Sequence, residues 1–204
     1  MEQRPSLRER KQKQAREQIV EAAFALFAER GFTEVTVSDI AERAEVGRTT
    51  FFRYFGDKQE VVFSDEQQLL DHLAERQRAL PGEAPQDLST ALAQIRGLVL
   101  DVCAEATADA AHYEMHQRLV EQNPELKDRS ARKMQRFAEV GEAILLERGT
   151  PRDVAVLAAQ IACACYQAGS RLAGPEAPAL APAVDVAFTR LDVLLDGEPA
   201  HGRK

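Results

Sequence analysis

The sequence predicts an all-α protein of about nine helices, with a small three-helix head followed by a larger helical bundle. Three observations lead there. Apolar residues recur three and four apart along almost the whole chain, and no stretch alternates as a half-buried strand does. Pro and Gly fall between the periodic stretches, at Gly31, Gly47, Pro81, Gly82, Pro124, Gly149, Pro151 and Gly174, where they suit helix ends and starts. Apolar residues make up 45% of the 204, which is enough for a packed core.

The first helix is expected from about Leu7 to Arg30, with Ile19, Ala23, Phe24 and Phe27 as its buried stripe and Gly31 as its stop. A short second helix opens at Thr36. Thr36-Val37-Ser38-Asp39 has the spacing of a capping box, with Asp where Glu or Gln is usual. Ile40, Ala41 and Ala44 supply its inner face. A tight break at Glu45-Val46-Gly47 precedes a third helix from about Arg48 to Phe55. Gly56-Asp57 ends it, and a fourth helix starts near Lys58 and continues to about Ala79. This divides the chain into a head over 1–57, with a basic N-terminal tail, and a bundle over 58–204.

Five further helices are expected beyond Pro85. The first covers about Gln86 to Glu105, with Leu88, Leu92, Ile95, Val99 and Val102 on one stripe. The second covers about Asp109 to Glu121. Pro124 opens the third, which ends near Gly149, and Pro151 opens the fourth, which reaches about Ala173. The fifth covers about Ala181 to Leu195, with a loose tail from Gly197.

Composition narrows the function. No apolar run approaches the ~20 residues of a membrane-spanning helix. The charged start MEQRPSLRERKQKQAREQ has no apolar stretch beside it, unlike a signal peptide. A cytoplasmic location is expected. Residues 1–62 hold eleven Lys/Arg and eleven Asp/Glu. The remainder holds fifteen and twenty-two, which is the whole net charge of -7. Within the neutral part, Arg4, Arg8, Arg10, Lys11, Lys13 and Arg16 face only Glu2 and Glu9 up to residue 16, a basic tip suited to phosphates.

Catalytic and metal chemistry find little support. Cys103, Cys163 and Cys165 form no disulfide framework. Cys163 and Cys165, two apart on a helix, point to different faces and read as small apolar residues. His112 and His116 have the spacing of two ligands on one helical face, but the HExxH pattern is absent. No phosphate loop, Ser-His-Asp order or paired carboxylate stands out. No catalytic residue, metal or cofactor is expected.

Helices two and three have the lengths and break of a helix-turn-helix. Ala41 and Ala44 are small where the helices cross, and Val46 is apolar in the turn. Such a unit shows the start of its second helix to a DNA major groove. Here that start carries Arg48, Thr49 and Thr50, followed by Phe52 and Arg53. The run VTVSDIAERAEVGRTTFFRYFGDKQEVV, preceded by Gly31-Phe32, closely resembles the DNA-binding signature of TetR-family regulators over about residues 10–62.

The resemblance implies a DNA-binding transcriptional regulator, most simply a repressor released from a palindromic double-stranded operator by a small molecule. Thr36 would cap helix two and touch a phosphate. Arg48, Thr49, Thr50, Phe52 and Arg53 would contact bases or backbone, and Tyr54 and Lys58 would hold phosphates. Arginine can pair with a guanine edge, while Thr methyls and Phe52 suit thymine methyls. Two residues depart from the pattern. Gly47 stands where a capping Ser is usual, and Phe52 where Tyr is commoner, so two hydroxyls are missing.

The run RLVEQNPELKDRSARKMQRFAEV resembles the subgroup linked to acyl-CoA-type ligands and mycofactocin regulation. An apolar effector is therefore expected among the helices over 86–173, an acyl chain or acyl-CoA being the first guess. Leu92, Ile95 and Val99 offer an apolar wall, Phe137 faces it, and His116 and Tyr166 supply polar handles. The same six residues also suit a plain core. The family pattern further implies a homodimer through the last two helices. Ala158, Ala159, Ala162 and Ala164 allow close approach there, and Val184, Ala187, Phe188, Leu191, Leu194 and Leu195 form an apolar stripe. The rivals are a helical acyl carrier that ignores DNA, and a small enzyme acting through Cys103 or the His pair.

Overall fold

A computed structural model of the chain describes residues 6–64, 69, 75–76 and 83–196, with 7–9 and 193–196 described by backbone alone. Among the described residues there are nine α-helices and no strand. They are α1 (Leu7–Arg30), α2 (Val37–Arg43), α3 (Arg48–Tyr54), α4 (Lys58–Val62), α5 (Leu88–Ala106), α6 (Ala110–Gln122), α7 (Pro124–Arg148), α8 (Arg152–Ala173) and α9 (Leu180–Asp196), with a 3₁₀ turn at Ala177–Ala179 before α9. The expected helices are present with ends shifted by a residue or two, except helix four, which stops at Val62 with Phe63 and Ser64 in a turn where the sequence suggested continuation to about Ala79. The expected stretch beyond Ser64 lies largely outside the described residues.

The chain divides into two compact units, Met1–Glu66 and Gln67–Lys204. The division falls after α4, not before it as the sequence suggested. The reason is packing: Val61 and Val62 are buried, and α4 lies against α1.

In the first unit, Ile19, Ala23, Leu26 and Phe27 of α1 meet Phe32, Val35, Ile40, Phe51 and Phe55 in one core. The capping box forms as its spacing requires. The Thr36 amide donates to Asp39 Oδ2 at 2.8 Å, and the Asp39 amide donates back to Thr36 Oγ1 at 3.2 Å. The Thr36 hydroxyl bonds, with help from Arg30, hold the Asp39 carboxyl below its ordinary value. Arg43 meets Glu29 at 2.7 Å, which adds an exposed tie between α2 and α1. In the turn between α2 and α3, Glu45 takes φ 53, a left-handed conformation that L-residues adopt at a cost.

In the second unit, α8 is the central helix and lies against α5, α7 and α9. Its small residues Ala155, Ala158, Ala162 and Cys165 are buried and let neighbouring helices approach. The closest approach is at Gly169. A Cβ there would come within 2.5 Å of Val184 Cα in α9, so only glycine fits. α7 ends on Gly149 at φ 97, whose amide bonds back to Leu146 O at 2.9 Å. Arg96 of α5 binds α9 at three points: Asp185 and Asp192, each at 2.9 Å, and Thr189 Oγ1 at 2.9 Å.

The apolar stripe of α9 serves this core. Val184 and Phe188 are fully buried within the chain, and Ala187 and Leu191 pack against the same cluster. The Leu194 and Leu195 side chains lie outside the described residues. Among the described residues, the large apolar side chains that remain exposed on the last two helices are others: Leu157 and Leu172 on α8 and Val186 on α9. No described helix is long and apolar enough to cross a membrane.

Candidate functional site

The first unit presents one chemically distinctive face, built by α3. Gly47 opens this helix with extended backbone, and its carbonyl accepts from the Thr50 amide at 2.8 Å. Phe51 is fully buried and packs on Phe55, with ring centroids 5.8 Å apart. That anchor fixes the helix's rotation. Its neighbour Phe52 is therefore turned outward and is 49% exposed, an unusual state for a large apolar ring. Arg48, Thr49 and Arg53 are exposed beside it, and Thr50 and Tyr54 are half-buried. The Arg53 guanidinium lies over the Tyr54 ring at 5.0 Å and reaches its hydroxyl at 3.4 Å.

Thr36 is exposed but already engaged. Its hydroxyl donates to Asp39 Oδ2 at 2.6 Å and accepts from the Asp39 amide. Lys58 departs from its expected role. Its ammonium donates to three backbone carbonyls, Phe32 O at 2.7 Å, Thr33 O at 3.1 Å and Val35 O at 2.9 Å, and rests on the Phe32 ring. An ammonium has three donors, so none is left for a phosphate. Lys58 instead fastens the turn between α1 and α2 to the start of α4. Arg16 is likewise held within the fold, by the Ser64 carbonyl and the Phe55 ring. The basic tip thus ends before Arg16, with Arg10, Lys11 and Lys13 exposed.

The second unit contains an apolar cavity of about 130 Å³. Its walls come from α5 (Ile95, Leu98, Val99, Val102, Ala106), α7 (Met134, Phe137, Val140, Gly141, Ile144) and α8 (Ala159, Ala162, Cys163, Tyr166), with Leu69. Four of the six expected ligand residues, Ile95, Val99, Phe137 and Tyr166, line it. Two do not. Leu92 lies one turn earlier on the α5 stripe and is buried in the core cluster with Leu180 and Val184. His116 is half-buried on α6, which contributes no wall. Burial pushes the Tyr166 phenol and the Cys163 thiol up.

The Cys103 thiol is fully buried, and desolvation pushes it up to about 12. A thiol so placed stays protonated and inaccessible, which removes the nucleophile of the enzyme rival. Among the described residues no group of three or more His, Cys, Asp or Glu could hold a metal ion.

Comparison with known proteins gives this geometry its context. The profile of bacterial regulatory proteins of the tetR family matches residues 19–64. The HTH-type transcriptional repressor Rv3405c of Mycobacterium tuberculosis is 34% identical over 180 residues, which cover 84% of this chain and 82% of that protein. The chain belongs to the TetR family. It is accordingly a helix-turn-helix transcriptional regulator and not an enzyme; regulators of this family bind DNA operators, respond to small ligands and act as dimers.

Two other proteins extend the comparison. The HTH-type transcriptional regulator TcmR of Streptomyces glaucescens is 37% identical over 124 residues, spanning 60% of this chain and 54% of that regulator. Among solved structures, FadR of Thermus thermophilus, a TetR-family repressor in complex with lauroyl-CoA, matches with a TM-score of 0.54. It is 26% identical, and the match covers 92% of this chain and 97% of that one.

Proposed function

We propose that this TetR-family chain is a homodimeric repressor, acting in the cytoplasm, that leaves a palindromic operator when a small apolar ligand enters the cavity of its second unit. The observation that carries the DNA half of this reading is the face of α3. Phe51 is locked in the core while Arg48, Thr49, Phe52 and Arg53 stand outward together. Two guanidinium groups, a Thr methyl and an exposed ring suit guanine edges and thymine methyls in a major groove. Thr50 and Tyr54 flank that face, and Thr36 offers its outer surface to the backbone.

Dimerisation through α8 and α9 rests on Leu157, Leu172 and Val186, which the chain alone leaves exposed. Two heads carried by such a dimer would meet half-sites about 34 Å apart, one turn of the duplex. For release, the ligand must bind the DNA-incompetent arrangement more tightly; a 100-fold preference supplies about 2.7 kcal/mol of coupling.

The test is to capture genomic fragments on the purified protein and sequence them. A shared inverted repeat, lost to Arg48→Ala or Arg53→Ala proteins, is the expected result. Fragments with no common motif, or retention unaffected by both substitutions, would reject the reading.

A further inference from the structure

The cavity's size and lining say what kind of molecule belongs in it. About 130 Å³ is close to the ~150 Å³ of an engineered apolar cavity that holds benzene. Among the described residues, none of the side chains that line it is charged. An ion placed inside would lose its hydration and find no counter-charge, which is strongly unfavourable. Among the described lining side chains, Cys163 and Tyr166 carry a polar hydrogen. The Cys163 thiol is directed to the Met134 carbonyl, with Sγ 3.8 Å from that oxygen. The Tyr166 side chain borders the cavity, and burial keeps its hydroxyl protonated. A protonated hydroxyl at an otherwise apolar wall can donate to a ligand oxygen. Phe137 adds an aromatic surface from α7 against which a flat molecule can rest.

We propose that the effector is a neutral molecule of about one ring, apolar except for a single acceptor that receives a hydrogen bond from the Tyr166 hydroxyl. The assignment rests on the reading of the second unit as the ligand-sensing part. It departs from the acyl-CoA expectation, because the described walls offer the phosphates of a thioester no counter-ion.

Four probes test it by calorimetry on the full-length protein without DNA: acetophenone, ethylbenzene, benzoate and lauroyl-CoA. Acetophenone should bind, and benzoate and lauroyl-CoA should show no saturable binding at the same concentrations. Tyr166→Phe keeps the ring and removes the hydroxyl, so it should keep the wild-type thermal midpoint. It should weaken acetophenone about five- to tenfold and leave ethylbenzene within about twofold. Absence of acetophenone binding, benzoate or lauroyl-CoA binding as tightly as acetophenone, or equal weakening of both neutral probes by Tyr166→Phe would each overturn the assignment. Operator titration separates this from the release mechanism. Acetophenone that binds but leaves operator affinity unchanged would defeat the release reading and leave the cavity assignment standing. Release by lauroyl-CoA with no acetophenone binding would do the reverse.

Discussion

Single side chains divide the first unit between holding the fold and meeting DNA. Arg48 and Arg53 are exposed on a helix whose rotation Phe51 fixes, and the proposed function assigns them to bases. Replacing either by Ala should cost about 1–3 kcal/mol of operator affinity if it pairs with a guanine, and should relax specificity at that base. Titration against operators altered one base at a time checks this; unchanged affinity in both variants assigns base reading elsewhere. Lys58 lies on the other side of the division. Its three carbonyl partners lose their donor in Lys58→Met, and stability should fall by about 1–3 kcal/mol. The salt dependence of DNA binding should not change, because no phosphate contact is removed. A shallower salt slope with an unaltered melting midpoint would return Lys58 to the DNA.

At the scale of elements, the crossing of α8 and α9 is the tightest joint in the second unit. Gly169→Ala would place a methyl 2.5 Å from Val184 Cα and 2.6 Å from its amide nitrogen, against backbone that cannot swing aside. Overpacking of this sort costs about 1–3 kcal/mol or more. Denaturant unfolding should show the loss in the second unit, and full retention of stability would mean that the helices cross further apart. Arg96 reinforces the same region by tying α5 to α9 through Asp185, Thr189 and Asp192. The cavity borders the same helix, where Ala159, Ala162, Cys163 and Tyr166 line it together with residues of α5 and α7. A ligand that pushes those helices would be felt by α8 directly.

The whole molecule acts as a regulator only if two copies join. Leu157 is 50% exposed in one chain, so Leu157→Asp should leave the helical content of each chain intact. In an apolar interface the same carboxylate is buried, which is strongly unfavourable. Light scattering should report a monomer, and operator binding should be lost; a stable dimer would move the interface off α8. Leu191 is the poorer test, because it packs against the chain's own core. The basic tip should add affinity without specificity. Deleting residues 1–13 removes Arg10, Lys11 and Lys13, which are exposed, and should weaken binding to all DNA and flatten its salt dependence. An unaltered slope after the deletion would take the tip out of the interface.

The sequence by itself determined the helices, most of their ends and the family. Those signals are local. A capping box needs only Thr36 and Asp39, a left-handed stop needs only Gly149, and the apolar stripe of a helix repeats within a few residues. The α3 face was legible for the same reason, because Phe51 and Phe52 must point to different sides of one helix. What covers each stripe was decided only by tertiary structure, since the covering atoms come from far along the chain. Leu92 and Ile95 share a stripe, yet one meets α9 and the other a cavity. Leu191 reads as an interface residue until the cluster around Phe188 claims it. Lys58 reads as a phosphate ligand until the carbonyls of Phe32, Thr33 and Val35, more than twenty residues earlier, converge on its ammonium. Gly169 looks like any helical glycine until Val184 occupies the space that a Cβ would need. Periodicity tells a helix which face to bury, and only the packed chain supplies the neighbour that buries it.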